Sequence, residues 1–122
     1  MTDKVIETIR DVYKTLGSGL TESIYQKALI IGLKHDFESV ESEWSVPIIY
    51  RSHEIAVCRA DIVIDNVFIL ELKAVTKLTQ KGEVQIQRYM KILGIDRGIL
   101  ANFGKELEIK EIARSSIDGR TN

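Results

Sequence analysis

The sequence predicts an α/β (α+β) fold in which a mixed β-sheet is flanked by helices, in the order α-α-β-β-β-α-β-β. Two observations lead to this class. Apolar residues recur at helical spacing in three segments, and short runs rich in β-branched residues lie between turn residues in five others. Of the 122 residues, 44% are hydrophobic and 29% are charged, which is typical of a soluble globular protein. We therefore expect residues 1–122 to form a single domain with its own core.

The helices follow from the apolar periodicity and from turn residues at their ends. The first is predicted from six apolar positions, with Thr2 available as its N-cap: Val5, Ile6, Ile9, Val12, Tyr13 and Leu16. Gly17-Ser18-Gly19 ends it, and a second helix follows over about residues 20–34, with an apolar face formed by Ile24, Tyr25, Ala28 and Leu29. A third helix is capped by Thr79, runs to about Leu93 and is closed by Gly94.

The strands follow from the β-branched runs. Residues 44–50 read as a strand interrupted at Pro47, which favours an edge position because proline cannot donate to the ladder. Residues 55–64 and 67–75 form two further strands, both expected to be buried on two faces. Residues 97–103 and 107–112 complete the sheet, and the third helix forms a right-handed crossover between residues 75 and 98.

Charge and cysteine content narrow the functional class. A net charge of −1 argues against a strongly basic nucleic-acid coat protein, but the charge is unevenly distributed. Residues 1–45 carry 5 Lys/Arg against 8 Asp/Glu, whereas residues 77–114 carry 8 against 5, so a polyanion should bind the second segment. The single Cys58 is expected to be a small buried hydrophobic residue, and with a polar N-terminus it indicates a cytoplasmic protein.

The central hairpin carries three charged residues inside apolar strands: Asp61, and then Glu71 and Lys73. A buried charge is costly unless it is paired or binds a metal. Glu71 and Lys73 are two residues apart, so both leave the same face of their strand. If Asp61 shared that face, the carboxylates would repel each other unless one took up a proton or a cation lay between them, and oxygen ligands suit Mg²⁺ or Mn²⁺. A salt bridge from Lys73 to either carboxylate explains the same spacing and stays open.

Whether the two carboxylates share a face depends on the register of the hairpin. A two-residue turn at Asp65-Asn66 would pair Asp61 with Leu70 and point it away from Glu71. A shared site therefore requires a loop with an odd number of residues, such as residues 65–67, or a β-bulge.

Two helical pairs add candidate residues. Glu22 and Tyr25 are three residues apart on the second helix, and Gln85 and Tyr89 are four apart on the third, so each pair shares a helix face. Each also has a purely structural explanation. Glu22 suits the dipole of a first helical turn, Gln85 suits a solvated surface, and both tyrosines suit the edge of a core.

Taken in order, these motifs resemble a known family. The segment 19–25 matches GxxExxY; Arg59-Ala60-Asp61 and Glu71-Leu72-Lys73-Ala74 follow, then a QxxxY at 85–89 and a glycine-bounded run at 98–104. Over about residues 4–113, the expected core of the domain, the sequence resembles the GxxExxY family of the PD-(D/E)XK nuclease-like superfamily. The proline of the superfamily name is absent, since Ala60 precedes Asp61.

The resemblance implies a restriction-endonuclease-like core and a set of catalytic residues. Asp61 and Glu71 would bind Mg²⁺ or Mn²⁺ together with the backbone carbonyl of Leu72 and with Glu22. Lys73 would take part in activating water. Gln85 and Tyr89 would lie beside the metal and help to place the phosphate.

The function implied by the resemblance is hydrolysis of DNA phosphodiester bonds by metal-activated water. A catalytically silent module that binds nucleic acid or protein on the same fold is the alternative, and it stays open. DNA is the expected partner, bound on the side of residues 77–114, and no membrane association is expected. Because a core of 122 residues covers little DNA, a homodimer or an unidentified protein partner would fit this size.

Overall fold

The computed structural model describes residues 1–115. Three helices and five strands follow one another in the predicted order, and their bounds are α1 (Thr2–Leu16), α2 (Glu22–Leu33), β1 (Val40–Tyr50), β2 (His53–Ile64), β3 (Phe68–Lys73), α3 (Gln80–Leu93), β4 (Arg97–Phe103) and β5 (Leu107–Ala113). The α-α-β-β-β-α-β-β order is therefore confirmed.

The sheet is mixed and has the strand order β1-β2-β3-β4-β5. β3 and β4 pair in parallel through the α3 connection, and every other neighbouring pair is antiparallel. Pro47 lies in the edge strand β1, as its missing N–H predicts, but it does not interrupt the strand, since it pairs with Val57 and both its neighbours are paired as well.

Helices cover both faces of the sheet, which gives two hydrophobic clusters. α1 and α2 pack on one face over alternate residues of β2, β3 and β4, with Tyr25 stacked on Phe103 at 4.3 Å between ring centroids. α3 packs on the other face over Val63 and Ile69. Gly98 permits this close approach, because a Cβ there would lie 2.8 Å from side-chain atoms of α3.

The two ends of α3 lie where the sequence predicts them. Thr79 accepts a hydrogen bond from the Lys81 N–H at 3.3 Å, and Gly94 closes α3 in the left-handed conformation (φ 70°). The prediction of Thr2 as N-cap is wrong. Met1 takes that position and Thr2 is already helical, so its backbone cannot adopt the extended conformation that a capping side chain needs.

Four further expectations are corrected by the structure. α2 begins at Glu22 rather than near residue 20, and Ile24 is 43% exposed instead of facing the core. The first half of β2, residues 53–57, is exposed, so β2 is buried only toward its end. Cys58 is half-buried at the margin of the cluster beneath α3.

The hairpin between β2 and β3 has the register that a shared site requires. Ile64 pairs with Phe68 and Ile62 with Leu70, which leaves the three residues 65–67 as the connection. The same register sets Asp61 opposite Glu71. Within residues 1–115, no helix is both long enough and apolar enough to cross a membrane.

Candidate active site

Asp61 and Glu71 are joined by two reciprocal hydrogen bonds between side chain and backbone. The Asp61 N–H donates to Glu71 Oε2 at 2.7 Å, and the Leu72 N–H donates to Asp61 Oδ2 at 2.8 Å. The two carboxylates therefore replace the ladder bonds that would continue the β2–β3 pairing beyond Ile62. Each carboxylate is held in place by the strand that carries the other.

The alternation of β2 breaks at Asp61. Ala60 belongs to the cluster beneath α3, whereas Ile62, two residues further on, belongs to the cluster beneath α1 and α2. In a regular strand these two residues would share a face. The pairing of β1 with β2 is interrupted at the same point, opposite Glu43, whose φ of 53° is left-handed. The irregularity therefore lies at the residue whose N–H donates to Glu71.

Gln26 and Glu43 support the irregular segment, and sequence reasoning missed both. Gln26 Nε2 donates to the Asp61 carbonyl at 2.8 Å and to Glu43 Oε2 at 2.9 Å. Gln26 lies one helical turn after Glu22, a spacing that could have drawn attention to it. Glu43 carries no sequence signal, because it lies in a polar segment of an edge strand.

A small acidic cavity of about 210 Å³ opens beside this segment. Glu22, Glu43 and Asp61 line it, together with Gln26 and Leu72. Glu22 is exposed at the start of α2. The predicted neighbourhood of Glu22, Asp61 and Leu72 is therefore present in the structure.

Burial raises the pKa of both central carboxyl groups. Glu71 is only 3% exposed, and desolvation, followed by the charge of Asp61, raises its pKa from 4.5 to about 8. Desolvation also raises the pKa of Asp61 to about 6. The charges of Glu22 and Glu43 raise it further, while the Leu72 N–H and Lys73 act in the opposite direction. The pair thus carries more negative charge at neutral pH than its surroundings stabilise.

Lys73, Gln85 and Tyr89 form a chain of hydrogen bonds on the α3 side of the pair. Lys73 Nζ donates to Gln85 Oε1 at 3.2 Å, and Gln85 Nε2 donates to the Tyr89 hydroxyl at 3.1 Å. Burial and the charge of Glu71 raise the pKa of Tyr89 to about 12, so this hydroxyl stays protonated. Within residues 1–115 Lys73 forms no ion pair, so the salt-bridge interpretation of its spacing is not what the geometry shows.

Tyr25, the last residue of the GxxExxY segment, lies apart from the carboxylates. Its side chain is fully buried, its hydroxyl donates to the Gly17 carbonyl at 2.6 Å, and the Leu20 N–H donates to that hydroxyl at 3.2 Å. Tyr25 therefore fixes the loop that leads into α2 and so determines where Glu22 lies.

The donor atoms fit a hard divalent cation. Carboxylate oxygens of Asp61 and Glu71, the Leu72 carbonyl and Glu22 are oxygen ligands of the kind that Mg²⁺ and Mn²⁺ prefer. A cation bound between Asp61 and Glu71 would favour their ionised forms and so lower the raised pKa of each. In the part of the chain that the structure describes, no group of three or more His, Cys, Asp or Glu side chains is already clustered around one point.

A mixed sheet between two helical layers, with two carboxylates and a lysine at its central hairpin, defines a restriction-endonuclease-like α/β protein. The sequence pattern of the PD-(D/E)XK nuclease superfamily matches residues 1–115, and the chain belongs to this superfamily. Members are usually nucleases and generally use divalent metals.

The solved structure of SSO0001 has a similar fold, with a TM-score of 0.59 and 22% sequence identity. The match covers 75% of this chain and 49% of SSO0001, so this chain spans about half the length of that protein. At this identity the likeness concerns the fold alone. No curated protein matches the sequence.

Proposed function

We propose that this chain is a Mg²⁺- or Mn²⁺-dependent nuclease that hydrolyses phosphodiester bonds in DNA with water as the nucleophile. One observation carries the proposal. Glu71 is buried and Asp61 half-buried, each accepts a hydrogen bond from the strand of the other, and the pKa of each is raised, with Lys73 two residues after Glu71. Burying ionised carboxylates lowers the stability of a protein unless a partner neutralises them, and this favours a role in binding a cation.

Four groups of the chain would bind the cation. Asp61 and Glu71, with the Leu72 carbonyl and Glu22, would hold the cation at the acidic end of the site. When bound, the cation supplies Lewis-acid chemistry, since it makes water more acidic and neutralises charge that develops on the phosphate.

Lys73 would orient the attacking water and, as the amine left when its ammonium releases a proton to solvent, take up the proton of that water. Gln85 holds the Lys73 side chain in place, and Tyr89 in turn fixes the Gln85 amide. The water oxygen forms a new bond to phosphorus as the bond from phosphorus to the leaving sugar oxygen breaks, and that oxygen takes a proton from solvent.

The test is cleavage of labelled single-stranded, duplex and branched DNA in Mg²⁺, Mn²⁺ or EDTA. Glu71→Gln and Lys73→Met keep the size of each side chain and should each reduce cleavage at least about 100-fold. Lys14→Gln, at an exposed position on α1 outside the site and outside residues 77–114, should cut at the wild-type rate. Binding of Mn²⁺, measured by titration calorimetry, should weaken in Glu71→Gln.

Two results would contradict the proposal. Cleavage that survives EDTA or the Glu71→Gln substitution would show that the carboxylate pair is not the catalytic centre. Absence of both metal binding and cleavage in folded wild-type protein would leave a binding module on the same fold as the better interpretation.

A further inference from the structure

A groove runs from the candidate active site along the exposed side of α3. Next to Gln85 and Tyr89 lies a cavity of about 360 Å³, which is also lined by Lys81, Val84 and Arg88. Val84 and Arg88 line a second cavity of about 570 Å³ as well. Because the two cavities share these side chains, they adjoin along α3, and we call them together the groove.

The floor of this groove is apolar and open to solvent. Ile49 on β1 and Val84 and Ile92 on α3 line it, and they are 55%, 57% and 42% exposed. Pro47 and Ile48 continue the same surface along the edge strand. Apolar side chains that are exposed together in this way offer a surface that the apolar part of a ligand can cover.

The rim of the groove is basic. Lys81, Arg88, Lys91 and Arg114 line the two cavities, and no Asp or Glu is among the lining residues that the structure describes. Arg88 is exposed and forms no hydrogen bond or ion pair within residues 1–115. Arg114 pairs with Asp96 at 2.7 Å, but Asp96 is 75% exposed, so this ion pair is screened by water and is easily exchanged.

The two ends of the site therefore differ in charge. The cavity on the α2 side is lined by three carboxylates, Glu22, Glu43 and Asp61. The groove on the α3 side carries four basic side chains. A cation suits the first and phosphate groups suit the second, with Lys73 and Gln85 between them.

We propose that this groove binds an unpaired nucleic-acid strand that continues from the phosphate held at the active site. Phosphates would contact the basic rim, and base faces would cover the apolar floor. A duplex presents phosphates on its outside and hides its base faces, so it would leave Ile49, Val84 and Ile92 exposed. The proposal rests on the nuclease function proposed above, and it adds a preference for single-stranded or frayed substrate.

The groove is tested by the fluorescence anisotropy of a labelled oligothymidine and of a labelled hairpin duplex of equal length, in EDTA at two salt concentrations. Wild-type protein should bind the single strand more tightly. Arg88→Gln should weaken that binding about 5-fold or more and reduce the salt slope by about one. Val84→Ser should weaken binding of the single strand but leave duplex binding unchanged within about 2-fold.

Lys14→Gln is the matched control, because Lys14 is an exposed cation on α1, at the opposite face of the sheet. It should bind both oligonucleotides like the wild type. Circular dichroism melting should show that all variants remain folded.

A second substrate separates the groove from the catalytic centre. Bis(p-nitrophenyl) phosphate is too small to reach the groove, so Arg88→Gln and Val84→Ser should hydrolyse it at the wild-type rate, whereas Glu71→Gln should not. If the wild type hydrolyses this diester but both groove variants bind single strands normally, the groove proposal is wrong and the nuclease stands. If nothing is hydrolysed but Arg88→Gln and Val84→Ser still lose single-strand binding, the groove stands and the catalytic proposal fails. Tighter binding of the duplex by the wild type would also overturn the groove proposal.

Discussion

Raising the pH should destabilise the metal-free protein, and Glu71 should be the main cause. Its pKa rises from 4.5 to about 8 because it is buried and lies beside Asp61. Between these two values the folded protein retains a proton that the unfolded chain releases. The stabilisation is therefore fully present below pH 4.5 and is lost as the pH rises through about 8. At about 1.4 kcal/mol per pH unit, the difference amounts to roughly 5 kcal/mol. This is an upper limit, because Glu71 and Asp61 share the protons of one pair.

Urea unfolding from pH 5 to pH 9 in EDTA measures the effect directly. The free energy of unfolding of the wild type should fall by several kcal/mol over this range, relative to its change in Glu71→Gln. The variant keeps the shape of the side chain but cannot ionise, so subtracting its curve removes the contributions of other titrating groups. Parallel curves for the two proteins would refute the reasoning, because they would mean that Glu71 has the same charge in both states throughout.

Three further outcomes are expected. At pH 8, Mn²⁺ at about 100 times its Kd should raise the free energy of unfolding of the wild type by about 2.7 kcal/mol. Binding should also release protons, which calorimetry in buffers of different ionisation enthalpy detects. Glu71→Gln should show neither effect. Glu43→Gln keeps an oxygen that accepts from the Gln26 amide but removes a charge that raises the pKa of Asp61. The pKa of Asp61 should therefore fall in a carbon-13 NMR titration. An unchanged pKa would argue against an electrostatic effect of Glu43 on Asp61. Asn102→Ala removes a buried amide that forms hydrogen bonds with both the N–H and the carbonyl of Val75. The free energy of unfolding in urea should fall by about 2–3 kcal/mol. A fall of less than about 0.5 kcal/mol would show that water replaces these bonds.

Much of the architecture could be predicted because its signals are local. The cap at Thr79, the left-handed close at Gly94 and the buried runs of β3 and β4 each depend on a few neighbouring residues. Apart from the N-cap of α1, which lies at Met1 instead of Thr2, the predictions that failed depend on distant packing. Ile24 was assigned to the core by its periodicity, but which side of α2 is covered is decided by where α1 and the sheet lie.

The register of the central hairpin is the clearest example of a feature that is fixed by contacts with distant residues. Asp65 and Asn66 both adopt positive φ, which alone would suit a two-residue turn. The Asp65 N–H donates to the Ser39 carbonyl at 2.9 Å, and Asp65 Oδ1 accepts from the Ser39 N–H at 2.7 Å. These bonds tie the turn to a residue 26 positions earlier, and the connection spans three residues. Sequence reasoning could state the condition for a shared site but could not show that it was met.

By itself, then, the sequence determined the order of the elements, the edge position of Pro47 and the residue types around Asp61, Glu71 and Lys73, because short-range periodicity and turn chemistry encode them. Only the tertiary structure decided that each carboxylate accepts a hydrogen bond from the strand of the other, that Gln26 and Glu43 support the break in β2, and that basic side chains line the cavities along α3. Each of these depends on contacts between segments far apart in the chain, and such contacts are fixed by the packing of the two cores rather than by any local pattern.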